Sequence, residues 1–336
     1  MTGGRASDTL YIGKAASSIE YPKGLNVNGM KYFRFHGVMA FVALAALLTL
    51  LSFDARPTRG QSPSGEKSAG EDQSRVKPTV LVPKGNNDSA LAASATAARN
   101  AALSTELNWT FGSKEQHGWY LYTSLIKRLI DTKDAAGSKG FAGALARWQQ
   151  KSGLKPSGVL GEESLYAMVA QWQGTRIKDR TPALPEALLT APATDFFDPE
   201  RLEELRQVER ATYAAYKRMV AAALTDRSLS LAGGSKGQLA ADEKFLKIIS
   251  SFRSREYQEK LRRESPQAGT AGLALNSPHF TGRALDLYVG GEPVDTRDSN
   301  RALQVETRVY QWLVRNAERF GFRPYCYEPW HWEYVR

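Results

Sequence analysis

Two of the four histidines, His279 and His331, stand beside carboxylates in the last quarter of the chain. In the run Ser277 to Asp286 (SPHFTGRALD), a turn at Gly282 feeds a strand on which Ala284, Asp286 and Tyr288 share one face. That turn can bring His279 back over Asp286. In Glu328-Pro329-Trp330-His331, proline interrupts regular pairing, so two residues three apart can converge on one point. Hydrolytic zinc takes three nitrogen or oxygen ligands from protein and keeps a fourth position for water, a set that His279, Asp286 and His331 would supply. Such an ion lowers the pKa of water and polarises a carbonyl, but a base must still move the proton, and Glu328 suits that acid/base role. The single cysteine, Cys326, excludes an internal disulfide and a thiolate metal cluster. It reads as a small buried hydrophobe.

The two motifs together, Ser-x-His-x-x-Gly-x-Ala-x-Asp and Glu-x-x-His, resemble the signature of the VanY-type D-alanyl-D-alanine carboxypeptidases and dipeptidases. The resemblance covers about residues 240 to 336 and implies that His279, Asp286 and His331 bind Zn2+ while Glu328 is the catalytic base. It implies hydrolysis of the terminal D-alanine of peptidoglycan stem peptides. The same family has an Arg in a Tyr/Phe-Arg-Ser segment followed by Gln, which fits Phe252-Arg253-Ser254 and Gln258. A planar guanidinium just before a helix N-terminus can grip a carboxylate with two hydrogen bonds, so Arg253 is the expected reader of the substrate's free end, with Arg255 as its rival. By resemblance, Gln258 and Ser277 bond the substrate as well. Two other activities compete: a zinc endopeptidase cutting inside stem peptides or crosslinks, and a catalytically silent wall-binding tether, which would require a lost ligand or base.

The elements expected to position these residues belong to a domain over 198–336. Asp198-Pro199 reads as a helix start, with Leu202, Leu205, Val208, Tyr216, Met219 and Val220 at helical spacing. A strand over Phe245–Phe252, a helix over Arg255–Arg263, a strand over Arg283–Val289, a helix over Arg301–Phe320 stopped by Gly321, and a last strand over Phe322–Tyr334 follow. No Gly-rich phosphate loop interrupts them, and the expected fold is α+β, a small, mainly antiparallel sheet with flanking helices.

Upstream, Phe141, Leu145 and Trp148, then Leu165, Met168, Val169 and Trp172, recur at helical spacing and predict a small all-α module over 105–175. Its segment Trp148–Leu165 (WQQKSGLKPSGVLGEESL) is similar to the repeat of small peptidoglycan-binding domains. Residues 176–197 read as a Pro- and Thr-rich linker, and 54–104 as a disordered one with almost no aromatic residue. Gly37–Phe53 is uncharged and would span about 26 Å as a helix at about 1.5 Å per residue, which predicts a single transmembrane anchor, with a cleaved secretory signal, whose apolar region is normally shorter and nearer the start, as its rival. The basic residues of 1–36 then place that segment in the cytoplasm and the folded part outside the membrane. A tethered module of this kind raises the local concentration of a catalytic domain near a polymer. Lys and Arg outnumber Asp and Glu by 45 to 35, but the excess is spread along the chain without a basic block, so no nucleic-acid partner is expected.

Overall fold

The structure, a computed structural model, describes residues 85–266 and 273–335, which lie in one compact unit. No helix among the described residues is long and apolar enough to cross a membrane. The longest, α1 (Gly85–Glu106), is studded with Ser, Thr, Asn and Arg. This corrects the expectation of a transmembrane fold and of a single-pass membrane location; Gly37–Phe53 itself lies outside the described residues.

Helix α1 also occupies part of the stretch read as a disordered linker. It is held by a buried Asn100, whose amide donates to the Gly158 carbonyl and whose oxygen accepts from Leu160 N, both at 2.8 Å. Gln149, in α3 (Lys139–Lys151) beyond α2 (Thr123–Leu129), grips the same loop from the other side: Gly158 N donates to its side-chain oxygen at 2.8 Å, and its amide donates to the Val159 carbonyl at 3.0 Å. The loop then enters α4 (Glu162–Gly174). The glutamine of the Trp-Gln-Gln pattern therefore builds the helix pair. The module is not all-α, because Asn108–Phe111 (β1) pairs antiparallel with Lys114–His117 (β2). Gly112 and Ser113, both at positive φ, make the two-residue turn whose twist suits a hairpin.

Leu188–Thr190 (β3) pairs with Gln207–Glu209 (β4), inside and just after the stretch read as a linker, and α5 (Arg210–Thr225) follows. The helix expected from Asp198 thus starts at Arg210, after a 3-10 turn and a strand, and Glu209 caps it by accepting from Thr212 N at 2.7 Å. Ile248–Ser250 (β5), Ala284–Leu287 (β6), Phe322–Pro324 (β7) and His331–Tyr334 (β8) form an antiparallel sheet in the order β5-β6-β8-β7. Helix α6 (Arg255–Glu264) follows β5 and is capped by Ser254, which accepts from Tyr257 N. The helix expected over Arg301–Phe320 is two, α7 (Asp298–Glu306) and α8 (Arg308–Asn316), because Thr307 takes an extended backbone and caps the second through Tyr310 N. One apolar core runs from Trp109, Trp119 and Trp172 through Tyr216 and Met219 to Leu313, Phe322 and Trp332.

Candidate metal and catalytic site

The sheet register places the chemistry. Asp286 on β6 stands directly opposite His331 on β8, so the two side chains leave the same face, and Ser250 on β5 lies on the other side of Asp286. His279 arrives from the short 3-10 helix Pro278–Thr281, which Ser277 caps by accepting from His279 N at 3.3 Å. Gly282, at φ +65, turns the chain from that helix into β6. A Cβ there would come within 2.8 Å of Leu188 and 3.0 Å of the Glu209 backbone N, so both the turn and the packing demand glycine.

His279 Nε2 lies 3.3 Å from Asp286 Oδ1, and His331 Nδ1 lies 2.9 Å from the same oxygen. The outer ring nitrogens are tied as well. His279 Nδ1 is 2.6 Å from the Ser251 carbonyl, an acceptor only, which holds the Nδ1 proton and leaves Nε2, beside Asp286, as a ligand atom for an ion. His331 Nε2 is 3.2 Å from Glu333 Oε1. All three side chains are buried, and one donor atom of each lies within 4.8 Å of those of the others. Two imidazole nitrogens and a carboxylate, each oriented from behind, fit a dication such as zinc.

Arg253 runs alongside. Its Nη2 donates to Asp286 Oδ2 at 2.7 Å, Nε to Ser250 Oγ at 3.0 Å and Nη1 to Gln258 Oε1 at 3.3 Å. The Gln258 amide in turn donates to the Ala274 carbonyl at 3.0 Å. Arg253 is thus a brace for Asp286, with three of its five N–H groups engaged within the protein. Arg255 is exposed, with its guanidinium 4.9 Å from the Phe280 ring. Arg283 is half-buried and donates to the Asp179 carbonyl. His117 is exposed on β2, bonded to Asn108.

Glu328 sits in the turn between β7 and β8, where its N donates to the Tyr325 carbonyl and its own carbonyl accepts from His331 N at 2.9 Å. Burial, with the Asp286 charge adding to it, raises its carboxyl to about 7 against the opposing pull of His331 and Arg253. Burial would raise Asp286 too, but the two histidines and Arg253 outweigh it and hold Asp286 well below the usual carboxylate range. Burial and the Arg253 charge push His279 down to about 4. Burial also disfavours a charged His331, yet its bonds to Asp286 and Glu333 lift it to about 9. Trp330 and Trp332 are core residues, and burial drives the Cys326 thiol up to about 12.

Three contributors went unread in the sequence. The Ser251 carbonyl is backbone and leaves no side-chain signal. Glu333 did leave one, since residues two apart on a strand share a face and His331-Trp332-Glu333 places a carboxylate beside the histidine. Arg176, which reaches Glu333 from beyond α4, carries no local signal.

Residues 236–336 match the family model described as VanY, D-alanyl-D-alanine carboxypeptidase. A solved structure of the LdcB LD-carboxypeptidase, described as revealing the molecular basis of peptidoglycan recognition, is 22% identical over 45% of this chain and 69% of that chain, with a TM-score of 0.32. No curated protein matches the chain. Residues 236–336, which carry His279, Asp286 and His331, are thus similar to the VanY carboxypeptidase family, and their buried His-Asp-His group is one able to hold a metal ion.

Proposed function

We propose that the protein is a zinc-dependent D-alanyl-D-alanine carboxypeptidase that removes the terminal D-alanine from peptidoglycan stem peptides. The observation that carries this reading is the convergence of His279 Nε2 and His331 Nδ1 on one Asp286 oxygen, with Glu328 buried at the same turn as His331. His279, Asp286 and His331 would hold the zinc ion, which would supply Lewis acidity toward the scissile carbonyl and lower the pKa of water at the site. Glu328 takes the proton from the attacking water and passes it to the departing amine nitrogen. A carboxyl near 7 serves both halves of that transfer. Arg253 holds Asp286 in place and directs its remaining N–H groups toward the free carboxylate of the peptide. Ser277 and Gln258 act on the substrate through the positions of His279 and Arg253, to which they are hydrogen-bonded.

Mass spectrometry of a stem pentapeptide ending in D-Ala-D-Ala, incubated with the zinc-loaded chain, tests this. One alanine should be lost, and a C-terminally amidated pentapeptide should survive, since the carboxylate contact is gone. Cutting of crosslinked muropeptides with free ends ignored would point to an endopeptidase and overturn the carboxypeptidase reading.

A further inference from the structure

Glu333 stands two residues beyond His331 on β8, opposite the small Ala284, and is fully buried. Its Oε1 meets His331 Nε2 at 3.2 Å and accepts from Arg176 Nε at 2.9 Å, with Arg176 Nη2 on the same oxygen, while its Oε2 accepts from Ile177 N at 2.8 Å. Arg176 is itself clamped. Its Nη1 donates to Gln173 Oε1 in the last turn of α4 at 2.9 Å, and its guanidinium lies 3.9 Å over the Tyr325 ring. Both residues 176 and 177 lie upstream of the 236–336 stretch that carries the ligands. A histidine that offers Nδ1 to an ion must carry its proton on Nε2, and an acceptor fixed at Nε2 selects that tautomer and the ring's orientation.

We propose that Glu333 is a positioning residue for His331 and that Arg176 acts through it, so that the helical module upstream of the ligand-bearing domain helps to set the metal affinity of the site. The inference rests on the reading of His279, Asp286 and His331 as a metal centre. Its test is zinc affinity, measured by chelator competition on the full chain carrying Glu333→Met, Arg176→Met, both together, or Glu333→Gln. The double variant leaves no orphaned charge, and replacing a buried ion pair with apolar residues of similar size is commonly tolerated by the fold. Glu333→Met should weaken zinc binding by about 10- to 100-fold, the range for loss of a ligand's supporting partner. The double variant should lose no more than Glu333→Met alone, and Glu333→Gln, which keeps an acceptor oxygen, should lie between wild type and Glu333→Met. Wild-type affinity in the double variant, or losses that multiply, would overturn the proposal. A wild-type chain that binds no zinc would overturn the metal reading itself, and this inference with it.

Discussion

Glu328 has the property its proposed role requires: a carboxyl that burial raises to about 7, three residues before His331. Glu328→Gln should keep its zinc and lose about 10²- to 10⁴-fold in turnover, the usual cost of removing a general acid/base, measured as alanine release beside metal content. Without metal, the same residue costs stability at alkaline pH. An unfolded chain gives up this proton near the ordinary carboxylate value of about 4.3, and the folded chain near 7, so the folded state binds more protons in between and stability falls as pH rises through that window. Metal-free Glu328→Gln should therefore be more stable than wild type at pH 8, by up to about 4 kcal/mol, with the gap closing toward pH 4.5. A gap that widened on acidification would show the opposite sign of shift. At this scale the sequence was readable wherever spacing carried the chemistry, as with His279 and Asp286 seven apart around a glycine. It was unreadable where the partner was a backbone carbonyl, as at Ser251, or lay far along the chain, as Arg176 does.

Among the elements, the hinge at Gly282 decides whether His279 and Asp286 can meet. Gly282→Ala would place a methyl group 2.8 Å from Leu188 in a left-handed backbone, at a cost of about 1–3 kcal/mol. It should lower the melting temperature and weaken zinc binding together, because the displaced turn carries His279; unchanged zinc affinity in a destabilised chain would separate the turn from the site. Strand β6 and helix α6 were legible because glycine bounds the one and a capping serine starts the other, whereas the single last strand expected over Phe322–Tyr334 is two, β7 and β8, parted by the turn that holds Glu328 and Pro329. The break between α7 and α8 was not, since helical periodicity runs through it and only Thr307, a good N-cap with a modest helix propensity, marks the new start. The β1–β2 hairpin was missed for a similar reason: its strands are four residues each, too short to compete with the helical pattern around them.

Across the whole molecule, the helical module and the ligand-bearing sheet share one core, and a fully buried Arg301 on α7 stitches them by donating to Tyr122 Oη at 2.8 Å and to Gln116 Oε1 at 3.3 Å. Chemical denaturation should accordingly show a single transition for this unit, and Arg301→Leu, which removes the donor to Tyr122 Oη and leaves Gln116 Oε1 with the Tyr122 hydroxyl alone, should lower its stability by about 2–4 kcal/mol. Two resolved transitions would mean that the module folds apart. This shared core was not legible in the sequence, where the prolines and threonines of 176–197 read as a spacer; the segment is instead pinned by Arg176 on Glu333 and by β3 on β4. The central claim is that His279, Asp286 and His331 hold one ion, and calorimetric titration of zinc into the metal-free chain tests it most directly. One ion per chain, with binding abolished in His279→Ala and retained in Glu328→Gln, is the predicted result. Absent binding, or binding indifferent to the loss of His279, would contradict it.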